Sequence, residues 1–255
     1  MKYIVSASSD IGRVKNTNQD SLNVKVLSYG GEQLVFAVLC DGMGGLAKGE
    51  VASASVVRAF HQWVTDTLSD LCARGITDAE IRQAWTEIIN NQNEKLRSYG
   101  AQCGVRLGTT VTVLLLTGVR YFIANVGDSR VYEISQSVQL LTQDQTVVAM
   151  ELQQGKLTPQ EAQTDPRRSI LLQCVGASEE VYPDFFFGTP KQDTVYILCS
   201  DGFRHEVSEK EIQEYLRPDH MTSTENMKEN ELALIELNKQ RQERDNISVI
   251  TIRTY

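Results

Sequence analysis

Cysteine, histidine, proline and net positive charge are all scarce in this 255-residue chain, and each scarcity closes a route. The 5 cysteines (Cys40, Cys72, Cys103, Cys174 and Cys199) are odd in number, widely scattered and never spaced as CxxC. A disulfide framework or a thiolate zinc site is therefore not expected, and reduced thiols in a cytoplasm are the simpler reading. Only 3 histidines occur, His61, His205 and His220, with no HxxxH pairing, which leaves little support for a histidine zinc centre. Basic residues number 25 against 33 acidic ones, a formal net charge of −8. That balance argues against a nucleic-acid coat or an anionic-membrane binder, since both need a basic surface. No stretch approaches the ~18 uninterrupted apolar residues of a spanning helix. The opening MKYIVSASSDIGRVKN is broken too early by Ser, Asp and Arg to be a signal peptide. A metal, if one is used, falls to carboxylate ligands.

What is present describes an ordinary globular protein: 41% apolar residues, 23% charged and 5 prolines. The length suits one domain over residues 1–255, with no internal repeat. β-type runs open the chain at Tyr3–Ser8, Ser21–Leu27 and Gln33–Cys40, the last two flanking the hairpin signal Tyr29-Gly30-Gly31-Glu32. A helix follows from about Gly49, with Val57, Phe60, Val64, Leu68 and Leu71 at helical spacing. A second starts at the capping box Thr77-Asp78-Ala79-Glu80 and carries Ile81, Trp85, Ile88 and Ile89. Trp63 and Trp85 read as core, not as a binding feature. Strands are predicted again at Thr109–Leu116, Tyr121–Val126, Arg130–Ile134 and Thr194–Ser200, with Asn246–Arg253 closing the chain. Helices are predicted from Ser208-Glu209-Lys210-Glu211 and over about Asn226–Arg244. Thr142–Ala177 is a polar excursion, with a short helix start at Thr158-Pro159-Gln160-Glu161, and reads as a surface insertion or lid. The order, with hairpins and no regular βαβ alternation, points to α+β with largely antiparallel sheets.

Three aspartates sit at strand ends. Asp41 follows an apolar run and precedes Gly42-Met43-Gly44-Gly45; Asp201 follows Val195–Ser200 and precedes Gly202; Asp245 stands before the last strand in Arg244-Asp245-Asn246. Carboxylates held by sheet yet exposed at a turn suit hard cations such as Mg²⁺ or Mn²⁺, and the glycines allow close backbone approach. Asp-Gly is also a common turn signal, and the residues by themselves leave both readings open.

A resemblance takes the reading further. Ser9-Asp10-Ile11-Gly12 with Asn18-Gln19-Asp20, then Cys40-Asp41-Gly42-Met43-Gly44-Gly45, Gly108-Thr109-Thr110, Asn125-Val126-Gly127-Asp128-Ser129-Arg130, Leu157–Ala162 with Pro166–Ser169, Ser200-Asp201-Gly202 and Arg244-Asp245-Asn246 follow one another along nearly the whole chain. In this order they resemble the protein phosphatase 2C family, the metal-dependent Ser/Thr phosphatases, in its compact bacterial form. The resemblance implies a central sandwich of two antiparallel β-sheets flanked by α-helices, with a lid-like insertion and a binuclear Mn²⁺ or Mg²⁺ centre at one end. Asp41 would bridge the two ions, Gly42 would offer its carbonyl to one, and Asp201 and Asp245 would hold the other. Asp20 would act from the outer shell, through water. Asp128, with Asp201, matches a position that holds a third, weaker ion, and Ser169 a lid position near it. A metal-bridging water or hydroxide would attack phosphorus in line, with no covalent phosphoenzyme. Consistently, no cysteine opens a Cys-x5-Arg run and no Asp-x-Asp pair begins at Asp41.

The resemblance also implies phosphorylated protein substrates and an opposing Ser/Thr kinase; a cytoplasmic location, a monomer and no nucleic-acid or membrane partner are expected beside it. A catalytically silent, metal-binding regulatory module of the same fold is the alternative, and retention of Asp41, Asp201 and Asp245 together speaks against it. Two departures stand out. Lys15 occupies the place of the arginine that grips substrate phosphate, and Arg13, two residues upstream on the same face, is a second candidate. Gln145, in Asp144-Gln145-Thr146, and Met43 stand where relatives often carry histidine. His205 is expected to be an exposed structural residue, leaving protonation of the leaving alkoxide to metal-bound water.

Overall fold

The computed structural model describes residues 1–43 and 48–255. Gly44 and Gly45 of the expected glycine-rich motif therefore lie outside the described residues. The strands are β1 (Tyr3–Asp10), β2 (Ser21–Tyr29), β3 (Glu32–Cys40), β4 (Val111–Leu116), β5 (Tyr121–Val126), β6 (Arg130–Ile134), β7 (Val138–Leu140), β8 (Asp184–Gly188), β9 (Thr194–Cys199) and β10 (Ile247–Thr254). The helices are α1 (Gly49–Arg74), α2 (Asp78–Cys103), α3 (Val147–Gln153), α4 (Pro159–Thr164), α5 (Asp201–Arg204), α6 (Glu209–Leu216) and α7 (Thr224–Gln240). One sheet runs β1-β10-β9-β6-β7 and the other β2-β3-β4-β5-β8, with antiparallel pairing throughout. The α+β sandwich flanked by helices is thus the architecture of this chain.

Strand periodicity explains how three cores arise from two sheets. Alternate residues point to opposite faces of a strand. In β3, Val35, Ala37 and Leu39 face the other sheet, while Phe36, Val38 and Cys40 face α1 and α2. β9 divides likewise, Tyr196 and Leu198 inward and Val195, Ile197 and Cys199 toward α5, α6 and α7. Both faces of these strands are covered, which is why they read as continuous apolar runs and not as alternating ones. Phe36, Phe60, Trp63 and Trp85 form an aromatic cluster under α1 and α2, the two tryptophan rings meeting edge to face at 5.7 Å.

Several elements went unpredicted. β8 is a half-buried edge strand, Phe185-Phe186-Phe187, that does not alternate and pairs with β5, far earlier in the chain. α3 begins at Thr146, whose side chain caps Ala149, but its Val-Val start masks the helical signal. The closing helix spans Thr224–Gln240, shifted from the expected range because Ser223 caps it. Within the polar excursion Thr146 pairs with Leu171, and its far end is tied to the rest of the fold where Val175 pairs with Thr109. Between these ties Arg167 joins Glu151 to Asp165.

α7 is fastened to its sheet by one buried acid. Glu231 accepts hydrogen bonds from Ser6 at 2.9 Å, from Ser8, and from Thr251 at 2.6 Å, so a carboxylate on a helix satisfies hydroxyls of β1 and β10. Burial raises its pKa and the three hydroxyls oppose that rise. Replacing it with alanine strands those hydroxyls, at a cost of about 1–3 kcal/mol. Urea unfolding of Glu231→Ala should show that loss; an unchanged midpoint would mean the hydroxyls find other acceptors.

Candidate metal centre

Antiparallel pairing brings the ends of β3, β5 and β9 to the same edge of the sandwich as the starts of β2, β6 and β10. Asp20, Asp41, Asp128, Asp201 and Asp245 all stand at that edge. Each matched motif has a local task there. The Asp41 backbone donates to Thr110 Oγ1 at 2.9 Å, while its carbonyl accepts from the Thr110 amide at 2.9 Å and the Thr109 hydroxyl at 2.8 Å. Gly42 donates to the Gln19 carbonyl at 3.1 Å, and a Cβ there would lie 2.5 Å from both that oxygen and the Gly49 carbonyl. Asn246 holds the N-terminal motif by donating to the carbonyls of Ile11 and Thr17 and accepting from the Gln19 amide. Gly12 has φ +76°, and its missing Cβ makes room for the Asp245 carbonyl.

The carboxylates are crowded and poorly partnered. Both oxygens of Asp20 and Oδ1 of Asp201 are buried without a hydrogen-bond partner. Burial pushes the pKa of Asp20 up to about 7, with the charges of Asp201 and Asp245 adding to the rise; the nearby Ser248 and Ser200 hydroxyls offset only part of it. Asp41 is raised well above the carboxylate range by burial, then by Asp20, Asp201, Asp128 and Asp245. Asp128 is pushed up to about 7 by burial and by Asp201, with Arg204 opposing. The hard-oxygen set of Asp20, Asp41 and Asp201, short of donors of its own, fits a divalent cation. Among the described residues, no three His, Cys, Asp or Glu side chains are gathered tightly enough to hold an ion as they stand. Lys15 Nζ lies 2.7 Å from Asp245 Oδ1 and engages one of the expected ligands.

The remaining expected residues divide. Lys15 is at the cluster, whereas exposed Arg13 donates to the Lys239 carbonyl on α7 and is not brought to it. Ser169 stands exposed on the turn after α4, with no hydrogen bond to the aspartates. Asp128 faces a guanidinium: Arg204 Nη2 is 3.7 Å from its Oδ2 and donates to its carbonyl at 3.0 Å. Arg204 was not foreseen, because its partners are distant in sequence. His205 is largely buried instead of exposed, with Nε2 3.5 Å from Asp201 Oδ2 and Nδ1 3.4 Å from Glu243 Oε2. Burial opposes its charge, but Glu243 and Asp201 outweigh that and raise its pKa. Glu243 in turn accepts from the Arg244 and Asp245 amides, so one acid braces both aspartate turns. Gln145 is a second unforeseen brace, accepting from the Gly127 amide and from Gln173 and donating to Asp184.

A sandwich of this topology with this edge matches known proteins. The family model for protein phosphatase 2C matches residues 12–236, and the chain belongs to that family. It is 31% identical to protein phosphatase PhpP of Streptococcus pneumoniae over 217 residues, 84% of this chain and 85% of PhpP. It is 34% identical over 214 residues to the serine/threonine protein phosphatase PstP of Mycobacterium tuberculosis, covering 83% of this chain and 38% of PstP. The structure of the Streptococcus agalactiae serine/threonine phosphatase superposes with a TM-score of 0.84 at 27% identity, over 100% of both chains. The catalytic domain of PstP in complex with two manganese ions superposes with a TM-score of 0.78 at 27% identity, over 98% of this chain and 97% of that one. The chain is accordingly a protein serine/threonine phosphatase of the 2C type.

The raised carboxylates set a pH dependence. Asp20 and Asp128 at about 7 when folded, against about 3.9 unfolded, mean that the folded state binds more protons. Their contribution is therefore fully present below about pH 4 and lost as pH rises toward 7. In chelator, the melting temperature of Asp20→Asn should exceed that of wild type at pH 7.5, and the difference should shrink toward pH 4. Equal melting temperatures at pH 7.5 would show that Asp20 carries no such penalty.

Proposed function

We propose that this phosphatase releases phosphate from phospho-Ser and phospho-Thr residues of proteins with two Mn²⁺ or Mg²⁺ ions held by Asp41, the Gly42 carbonyl, Asp201 and Asp245, with Asp20 acting through water. The observation that carries the reading is the set of buried, unpartnered carboxylate oxygens on Asp20 and Asp201 beside a protonation-prone Asp41. When bound, such ions supply an activated water and neutralise the phosphoryl oxygens.

The chain's own residues do the positioning. Thr109 and Thr110 fix the Asp41 backbone, so the direction of its carboxylate is set before substrate arrives. Lys15 is the cation assigned to the substrate phosphate, a point charge and not a bidentate fork. The cysteines are not nucleophiles in this reading: burial raises Cys40 well above the usual thiol range and Cys199 to about 12. His205 is engaged on both ring nitrogens, so protonation of the leaving alkoxide is left to solvent in the cleft. A third ion at Asp128 is not part of the proposal, since Arg204 already faces that carboxylate.

The same reading takes residues 1–255 as one catalytic domain, a cytoplasmic monomer acting on the products of a Ser/Thr kinase. The family match over residues 12–236 supports the first point, and the names of the relatives support a phosphoprotein substrate. Among the described residues no helix is long and apolar enough to cross a membrane.

Hydrolysis of p-nitrophenyl phosphate should require Mn²⁺ or Mg²⁺, and Asp201→Asn should lower it below about a tenth of wild type. Retention above that level would remove Asp201 from the ligand set. Metal binding without turnover on this ester and on phosphopeptides would favour the silent module. Lys15→Ala should raise KM severalfold with kcat less affected, and an unchanged KM would take Lys15 out of the phosphate site.

A further inference from the structure

The surroundings of Asp128 do not fit a cation. Its carboxylate is buried, and the nearest positive charge belongs to the protein: Arg204 Nη2, 3.7 Å from Oδ2 and 3.0 Å from the Asp128 carbonyl that accepts its proton. Arg204 ends α5, the short helix that begins at Asp201, so the turn that presents Asp201 also presents this guanidinium.

Arg204 is not free to leave. The same Nη2 lies 3.4 Å from Asp144 Oδ2, and Asp144 is gripped from its other side by Arg130, whose Nε and Nη2 donate to the two carboxylate oxygens at 2.7 Å each. Arg130 is fixed in turn by donating to the Tyr132 hydroxyl at 2.7 Å. Burial pushes the Asp144 pKa upward, but the hydrogen bond from Arg130 and the charge of Arg204 outweigh it and keep the group ionised. Two guanidiniums thus alternate with two carboxylates, Arg130–Asp144–Arg204–Asp128, in a row that the protein nearly neutralises by itself. A dication at Asp128 would stand within a few ångströms of a largely buried guanidinium, where screening is weak.

We infer that Arg204 is a built-in cation that takes the place of a third metal ion at Asp128, so that this phosphatase holds two divalent ions and not three. The inference rests on the two-ion reading of the centre. It makes Arg204 a positioning residue: it holds Asp128 and the β5–β6 turn at the edge of the cleft without touching substrate. The charge it supplies is present at every metal concentration and at every pH at which the protein is folded, because a guanidinium does not lose its proton.

Ion counting by native mass spectrometry and by calorimetry, on metal-stripped protein titrated with Mn²⁺ to millimolar concentration, tests this without reference to turnover. Wild type should saturate at two ions, and Asp128→Asn should also bind two, because its carboxylate is no ligand. Arg204→Ser, shown to be folded by circular dichroism, should gain a third ion that the double variant Arg204→Ser/Asp128→Asn lacks. Three ions on wild type, falling to two in Asp128→Asn, would overturn the inference and leave the phosphatase centre intact. A folded Arg204→Ser that stops at two ions would overturn it as well. Should that variant not fold, the wild-type and Asp128→Asn counts decide alone. Fewer than two ions on wild type would instead bring down the two-ion reading, and this inference with it.

Discussion

Burial of mutually repelling aspartates at one edge of a β-sandwich is the constraint on which the rest of the structure turns. Burial raises the pKa of Asp20, Asp41 and Asp128, and the charges of the neighbouring carboxylates add to the rise. Left to relax, such groups would swing toward water. They are prevented by backbone contacts that have little to do with charge: Thr109 and Thr110 on Asp41, Asn246 on the N-terminal motif, and Glu243 on the Asp245 turn. Behind them stand strands covered on both faces, which leave no slack for the edge to open. Stability is spent here to keep a cation-receptive surface in place, as is usual where local strain serves a site.

The acidic balance of the whole chain reads differently in this light. A net charge of −8 excludes binding of polyanions by a basic surface, but it does not oppose a phosphorylated substrate. Divalent cations at the aspartates, as proposed, would reverse the sign of the field in that one cleft. The protein adds fixed positive charge of its own at two flanks, Lys15 beside Asp245 and Arg204 beside Asp128. The first keeps some exposure and can meet a ligand. The second is largely enclosed and tied to Asp144, and shapes the electrostatics of its neighbours.

Much of the architecture, and the placing of aspartates at strand ends, was legible in the sequence, because those features are local. A capping box at Ser208, an apolar strand ending in Asp-Gly, and a Gly-Gly hairpin each carry their own physical reason within a few residues. Gly42 is the clearest case, since any side chain would collide with two carbonyls. What escaped was non-local. β8 depends on pairing with β5, Arg204 on Asp144 and Asp128, and His205 on Glu243, 38 positions later in the chain. The insertion's position was readable from its polar composition, but not the tie at Val175 that pins it to Thr109, itself paired with Gly42. Of the two basic candidates for phosphate, spacing alone could not separate Lys15 from Arg13; in the structure Lys15 lies at Asp245, while Arg13 donates to the Lys239 carbonyl.

The central claim is that these strand-end aspartates hold divalent cations. Crystals grown with Mn²⁺, measured at the manganese absorption edge, test it most directly. The account predicts two anomalous peaks at the edge of the sandwich, in contact with Asp41, Asp201 and Asp245, with Lys15 displaced from Asp245. A well-ordered structure with no peak there, or with manganese held elsewhere and Lys15 still paired with Asp245, would contradict it.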